Sequence, residues 1–373
     1  MFSKEELERY NRQIILPNFG KEGQEKLKSA RILVVGAGGL GAPILLYLVA
    51  AGVGKIGIID NDDVDFSNLH RQVLFSTEDI GKIKVETAQK KLHALNPNCE
   101  IITYKEFISS ENALQIAENY DVIVDGTDNF PTRYLVNDLS VKLGIPNVHG
   151  SIHQFSGQVS VFNMPLGNGK FGPNYRDIYP EPPAAGEVPS CAEGGVLGVL
   201  PGIVGSVQAM EAIKVITGIG TVLSGKIWLY NALDQSVQFI NFEKNEENKV
   251  NSDARNEIEL IDYELFCGIK KEIKMKTISA IELIKMQDSN EDFQLIDVRE
   301  PYEFEENNMN GLLIPMNKIP ERFNEISKDK KVVVHCHAGV RSANVIAYLE
   351  QTHGFTNLYN LEGGIVAWLI ADK

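Results

Sequence analysis

The residues best equipped for chemistry fall in two short motifs, one near each end of the chain. Gly36-Ala37-Gly38-Gly39-Leu40-Gly41 follows the apolar run Ile32-Leu33-Val34-Val35. A glycine-rich turn between a strand and a helix turns backbone N–H groups and the positive helix end toward a phosphate. Cys336-His337-Ala338-Gly339-Val340-Arg341 follows Val332-Val333-Val334 and puts a thiol in a loop that ends on a permanent cation. Gly339 allows that loop to close into a nest of inward N–H groups, which stabilises a thiolate or a sulfur-borne anion.

The spacing Gly36-x-Gly38-x-x-Gly41, with Asp60 closing the next strand about twenty residues on, is a dinucleotide-type fingerprint. Asp60 can accept hydrogen bonds from a ribose, which serves NAD, FAD or ATP equally, so a Rossmann oxidoreductase stays open on this motif alone. Ser67-Asn68-Leu69-His70-Arg71-Gln72, Lys84 and Thr127-Asp128-Asn129 add to it. A triphosphate concentrates negative charge, and its site needs several cations and a carboxylate for Mg²⁺. Arg71, Lys84 and Asp128 have those chemistries. Asp128 also reads as an N-cap for a helix starting near Pro131, and Arg12 as an ordinary surface charge.

Two α/β patterns must position these residues. From Glu5 to Phe242, strand-like runs at 31–35, 55–60, 100–104 and 121–125 alternate with helical stretches, the rhythm of a mostly parallel sheet covered by helices. Residues 243–256 are polar and almost free of apolar side chains, and 243–273 read as a linker and connecting segment. A shorter α/β pattern runs from 274 to 373, with strands at 293–297 and 331–335 and a helix from Ser342 to about Gln351. The 373 residues with 43% apolar content suffice for two cores. Fifty acidic against 36 basic residues, a net charge of -14, disfavour nucleic acid and anionic membrane as partners. The N-terminus has no apolar leader, and no stretch is long and apolar enough to span a bilayer, so a cytoplasmic location is expected. Cysteines 99, 191, 267 and 336 are too scattered for a disulfide framework. Cys191, in Pro189-Ser190-Cys191-Ala192-Glu193-Gly194-Gly195, stands before a helix whose N-terminus would lower its pKa. Cys99 and Cys267 read as packing residues, with a resolving thiol the alternative for Cys267, and His149 and His153 read as core or loop residues.

Over residues 5–242 the chain resembles the MoeB/ThiF branch of the ubiquitin-activating superfamily, the adenylyltransferases of molybdopterin and thiazole biosynthesis. The residues that carry the resemblance are Arg9-Tyr10-Asn11-Arg12-Gln13, the glycine turn, Ser67 through Gln72, Thr127-Asp128-Asn129 and Cys191 through Gly198. It implies a Rossmann-like ATP-binding domain. The nucleotide would be held by Gly36, Gly38, Gly39, Gly41, Asp60, Ser67, Asn68, Leu69, His70, Arg71, Lys84, Asp128 and Asn129, with Mg²⁺ on Asp128. It further implies that Arg12 reaches the phosphates of a neighbouring subunit in a homodimer, and that Cys191 forms an acyl or persulfide link. The substrate implied is a ubiquitin-like sulfur carrier ending in Gly-Gly, of the molybdopterin-synthase small-subunit type or the thiamine-thiazole type. Many relatives carry a zinc site built from two Cys-x-x-Cys pairs. Here Asn174-Tyr175-Arg176-Asp177 stands at the place of the first, before Ile178-Tyr179-Pro180-Glu181-Pro182-Pro183, so no zinc is expected.

The tail, with Leu295-Ile296-Asp297-Val298-Arg299-Glu300, the Cys336 loop and Leu361-Glu362-Gly363-Gly364-Ile365, resembles a rhodanese domain. The resemblance implies that Cys336 carries a terminal sulfur drawn from a persulfide donor, a cysteine desulfurase or thiosulfate, with Arg341 adding fixed charge. The spacing from Cys336 to Arg341 is one residue shorter than in the similar loop of dual-specificity phosphatases, which favours sulfur over phosphate. The expectation is an α/β protein in which ATP activates a carrier tail and the tail domain supplies sulfur to form a thiocarboxylate.

Overall fold

A computed structural model describes residues 2–183, 195–251, 253, 255–269, 275–289 and 291–371. The chain divides into two compact units, 1–270 and 271–373.

In the first unit, β1 (Arg31–Val35), β2 (Lys55–Ile59), β3 (Glu100–Tyr104), β4 (Val122–Asp125) and β5 (Asn147–His153) pair in parallel in the order β3-β2-β1-β4-β5. β6 (Ser156–Phe162) turns back antiparallel on β5. Beyond the small hairpin β7 (Pro165–Gly167) and β8 (Lys170–Phe171), β9 (Lys226–Asn231) and β10 (Ser236–Asn241) extend the sheet antiparallel. The apolar runs are unbroken because both faces are buried. Ile32 and Val34 of β1 pack with Leu45, Leu48 and Val204 on one side, while Leu33 and Val35 meet Tyr134 and Leu139 on the other. Parallel strands buried on both faces aim their carboxyl ends at one edge of the sheet, where the glycine turn and the 126–129 turn emerge.

The segment that reads as a polar linker is ordered against this unit in its described part. Asn248 is buried, and its Nδ2 donates to Asn174 Oδ1 (3.3 Å) and Asp177 Oδ1 (2.8 Å). Asn174 Nδ2 donates to the Val250 carbonyl (2.8 Å), and Asp177 Oδ1 accepts from the Asn245 N–H (3.1 Å). Further on, Tyr263 and Cys267 enter the second core cluster. The Tyr263 hydroxyl donates to Asp138 Oδ2 (2.8 Å), which also takes Arg176 Nη2 (2.8 Å). The Arg176 guanidinium lies over the Tyr134 and Phe266 rings at 4.8 and 4.7 Å. The first unit therefore reaches past Phe242. Polar composition misled because these groups are satisfied within the protein instead of by water.

Asn174 and Asp177 thus face a second pair of the same spacing, Asn245 and Asn248, and the four are joined by amide, carboxylate and backbone hydrogen bonds. They offer no thiolate and do not fit zinc. Among the described residues no group of three or more His, Cys, Asp or Glu is placed to hold a metal ion.

The second unit is a wholly parallel sheet of β11 (Thr277–Ile278), β12 (Phe293–Asp297), β13 (Leu312–Leu313), β14 (Lys331–His335) and β15 (Leu358–Leu361), in the order β11-β15-β14-β12-β13. β14 is buried throughout its apolar run and delivers the chain to Cys336; the helix Val340–His353 follows.

Candidate active sites

A cleft of about 250 Å³ opens at the carboxyl ends of β1, β2 and β4. Gly36, Gly38, Gly39, Asp60, Asn68, Arg71, Lys84, Asp128 and Asn129 all line it. Gly36 has φ of +94°, and a Cβ on Gly41 would stand 2.1 Å from the Gly36 carbonyl oxygen, so the turn closes only with glycine at both ends. Asp60 accepts from the Ala37 N–H (2.8 Å) and the Asp62 N–H (2.9 Å), which ties the end of β2 to the turn. Burial pushes the Asp60 carboxyl above its ordinary value, against the opposing pull of Lys84 and these N–H groups. Lys84 is buried, with Nζ 2.8 Å from Asp62 Oδ2 and 3.9 Å from Asp60 Oδ1. Arg71 donates from Nη2 to Asn68 Oδ1 (2.7 Å), and its Nη1 lies 2.8 Å from His70 Nε2. The cleft cations are therefore held in place before any ligand arrives, the arrangement that favours binding of developing negative charge.

The other residues assigned from sequence lie elsewhere. Gly41 begins the helix Gly41–Ala51. Ser67 bonds to Asp65, and Leu69 packs against the core, so the turn 66–69 positions Asn68 and Arg71 through its backbone. Arg12 is exposed on the short helix Asn11–Ile14 and is not among the cleft-lining residues. Cys191 lies outside the described residues.

Asp128 is exposed in the cleft wall, and the helix Phe130–Leu143 takes its N-cap from Asn129, whose Oδ1 accepts from the Thr132 N–H (3.0 Å). The capping role that sequence offered to Asp128 thus falls to its neighbour. The turn that presents Asp128 hangs on a buried group that sequence reading missed. Asp125 Oδ1 accepts from Thr127 N (3.0 Å) and Oγ1 (2.6 Å), and Oδ2 accepts from His149 Nδ1 (2.9 Å). Burial opposes charge on both partners; it keeps His149 below its ordinary value, hence neutral, while the His149 and Thr127 bonds hold Asp125 below the usual carboxylate range. Gln208 adds a bond from Nε2 to the Asp125 carbonyl (2.7 Å). His149 is a core residue, as its lack of a metal partner pattern suggests, but one with a positioning task. Arg133, which also lines the cleft, was missed too; four residues into a helix, it reads as solvated until the fold is known.

In the second unit Cys336 is buried, with Sγ accepting from the Gly339 N–H (3.1 Å) and the Ser342 hydroxyl (3.5 Å). Gly339 has φ of +93°, which turns its N–H inward. Burial pushes the thiol up. Hydrogen bonds from the Ser342 hydroxyl and from the Ser342, Ala338 and Gly339 N–H groups outweigh it and bring the pKa below its ordinary value. Ser342 is held by Asn360 Oδ1 (2.6 Å), and Asn360 Nδ2 donates to the Gly339 carbonyl (3.1 Å). Neither residue was singled out from sequence, although Ser342 adjoins the motif. Arg299 is buried in an ion pair with Asp297 (Nη2 to Oδ2, 2.6 Å), a structural role beneath the loop. Cys99 and Cys267 are packed thiols pushed up by burial to about 12 and about 11. At those values they are poor nucleophiles.

Residues 10–251 match the ThiF family model and residues 279–371 the rhodanese-like domain model. The probable adenylyltransferase/sulfurtransferase MoeZ of Mycobacterium tuberculosis is 46% identical over 374 residues, covering 98% of this chain and 93% of that protein. The sulfur carrier protein adenylyltransferase of Thermus thermophilus is 55% identical over 269 residues, covering 72% of this chain and 99% of that protein. The adenylyltransferase and sulfurtransferase UBA4 of Meyerozyma guilliermondii is 41% identical over 384 residues, covering 98% and 88%. Among solved structures, E. coli MccB shares the fold at 24% identity with a TM-score of 0.56, over 67% of this chain and 73% of that one. No helix of the described residues is long and apolar enough to cross a membrane.

Proposed function

Given that the chain belongs to the ThiF family, continues into a rhodanese-like domain and is an enzyme of the adenylyltransferase/sulfurtransferase type, we propose that it adenylates the C-terminal glycine of a ubiquitin-like sulfur carrier of the molybdopterin-synthase type and supplies the sulfur that converts the tail to a thiocarboxylate. The observation that carries the reading is the pairing of two preorganised sites in one chain, a cleft lined by fixed cations and a nested low-pKa thiol. In the first step a carrier carboxylate oxygen attacks the α-phosphorus of ATP and pyrophosphate leaves. Arg71 and Lys84 offset the charge that builds on the phosphates, and Asp60 accepts from the ribose. Mg²⁺ bound with a nucleotide keeps most of its waters and takes one or two protein carboxylates, a requirement Asp128 meets; it would neutralise phosphate charge there. Arg12, exposed and away from the cleft of its own subunit, is available to a second copy of the chain, which supports a homodimer with the cleft completed in trans. Cys336 takes a terminal sulfur from a persulfide donor; that sulfur attacks the activated glycine carbonyl and AMP leaves, giving an acyl disulfide to Cys336, whose S–S bond a thiol reductant then cleaves with two electrons to release the thiocarboxylate and the Cys336 thiol.

The test is carrier-dependent exchange of labelled pyrophosphate into ATP, run in parallel with a molybdopterin-type and a thiamine-thiazole-type carrier. Exchange with the first alone supports the reading. Exchange confined to the second moves the enzyme to the thiazole pathway, and exchange with neither overturns the proposal.

A further inference from the structure

Arg341 does not meet a donor as an unmatched cation. It donates from Nη1 to Glu303 Oε2 and from Nη2 to Glu303 Oε1, both at 2.7 Å. This is the bidentate geometry in which guanidinium and carboxylate hold one another most firmly. Glu303 is also anchored within its own helix, Pro301–Glu306, where Oε2 accepts from the Glu300 N–H at 3.0 Å. Arg341 draws the carboxyl down to about 2, so Glu303 is charged across the working pH range. The contacts that stabilise sulfur at Cys336 are otherwise neutral dipoles, the Gly339 N–H and the Ser342 hydroxyl. Tyr302 and Val340, which adjoin the two ions in sequence, are exposed and uncharged. The fixed cation beside the thiol is therefore matched by one fixed negative charge.

We infer that Glu303 determines sulfur-donor specificity: by matching the charge of Arg341 at the mouth of the Cys336 loop, it disfavours dianionic donors of the thiosulfate class relative to donors that bring one negative charge or none, such as persulfides. The inference rests on Cys336 as the sulfur acceptor. With a persulfide R–S–SH, the Cys336 thiolate attacks the outer sulfur, the donor S–S bond breaks, RS⁻ leaves and Cys336–S–SH forms. With thiosulfate the same bond forms and sulfite dianion leaves. The two differ in the charge carried into the loop, and the fixed carboxylate acts on that difference.

The experiment uses the full chain at low ionic strength with cyanide as acceptor and two donors, thiosulfate and the singly charged methanethiosulfonate. Glu303→Gln keeps an acceptor oxygen for Arg341 and removes the charge. It is expected to raise kcat/KM about tenfold for thiosulfate and about threefold for methanethiosulfonate, so that the donor ratio rises about threefold, and added salt should shrink the change. Glu303→Asp, which keeps the charge, should leave the ratio near that of the unsubstituted protein. An unchanged ratio in Glu303→Gln, or the same rise in Glu303→Asp, overturns the inference and leaves Glu303 as a support for Arg341. Cys336→Ser run alongside should lose transfer from both donors; transfer that survives would instead remove the premise about Cys336.

Discussion

The two sites solve the problem of handling an anion in opposite ways. The cleft is assembled from distant segments: the glycine turn after β1, Asp60 after β2, Asn68 and Arg71 from a short turn, Lys84 from a helix and Asp128 after β4. Its charges are held in place by one another. The thiol loop is mostly local; Cys336, Gly339 and Ser342 lie close together in the chain, while Glu303, Asn360 and the Ile365 and Val366 N–H groups reach in from elsewhere. A large substrate with charge on several atoms needs a site as wide as the sheet edge. A single sulfur needs one nest. The distributed site should therefore lose function in portions as its residues are removed, while the local one depends outright on its single thiol.

Four substitutions and one subunit-mixing experiment would break or sharpen that contrast. Cys336→Ser should abolish sulfur transfer to cyanide while carrier-dependent pyrophosphate exchange continues, because a hydroxyl neither ionises at neutral pH nor accepts a sulfur atom. Loss of both activities in a folded protein would show that the sites are not separable. Asp128→Ala should lower pyrophosphate exchange about a hundredfold and leave cyanide-acceptor transfer intact. Mixing subunits of Asp128→Ala with subunits of Arg12→Ala should then recover about a quarter of full exchange, since half the dimers are mixed and each has one complete cleft. No recovery on mixing would mean that Arg12 serves its own cleft, and full exchange by Arg12→Ala alone would mean that it serves none.

Ser342→Ala removes one of the donors that hold the Cys336 pKa below its ordinary value, and should reduce sulfur transfer at neutral pH by about tenfold or less. The sign follows from the thiolate being the reactive form: activity rises with pH through the thiol pKa, so the profile of the variant should lie to the alkaline side of the native one. Iodoacetamide alkylation rates measured across pH check this directly, and coincident profiles would remove Ser342 from the cradle. The smallest effect is expected at Asn248→Ala, which removes one of the donors to each of the Asn174 and Asp177 oxygens and should lower stability by about 1–2 kcal/mol in denaturant unfolding of the full chain. An unchanged midpoint for the first transition would show that the segment after Phe242 adds nothing to the first unit.

Much of the scaffold could be read before it was seen, because periodicity reports burial. The four front strands and the two tail strands lie within a residue of where the apolar runs end. Both glycine-marked loops were also legible, since each depends on backbone conformations that glycine allows at Gly36 and Gly339. What sequence did not disclose are contacts between residues far apart in the chain. Glu303 looks like one acid among several until the fold brings it to Arg341. The Asp125–His149 pair is split between β4 and β5, and of the two polar residues in tandem the capping role offered to Asp128 belongs to Asn129, a choice that the local sequence does not decide. The segment after Phe242 was misread for the same reason: a residue such as Asn248 has the composition of a loop whether its amide bonds to water or to Asp177.

The clamp formed by Asn174, Asp177, Asn245 and Asn248 also sets how this protein ages. A zinc centre made of thiolates is lost through oxidation or removal of the ion, and either event can be reversed by reductant and metal. An amide clamp is indifferent to both. Its weak point is slow hydrolysis, one reason asparagine is scarce in proteins adapted to heat. Loss of the Asn248 amide would leave a second carboxylate against Asp177, with repulsion where two hydrogen bonds had been. The lifetime of this corner of the molecule is then set by temperature and elapsed time, through a lesion that no change of medium undoes.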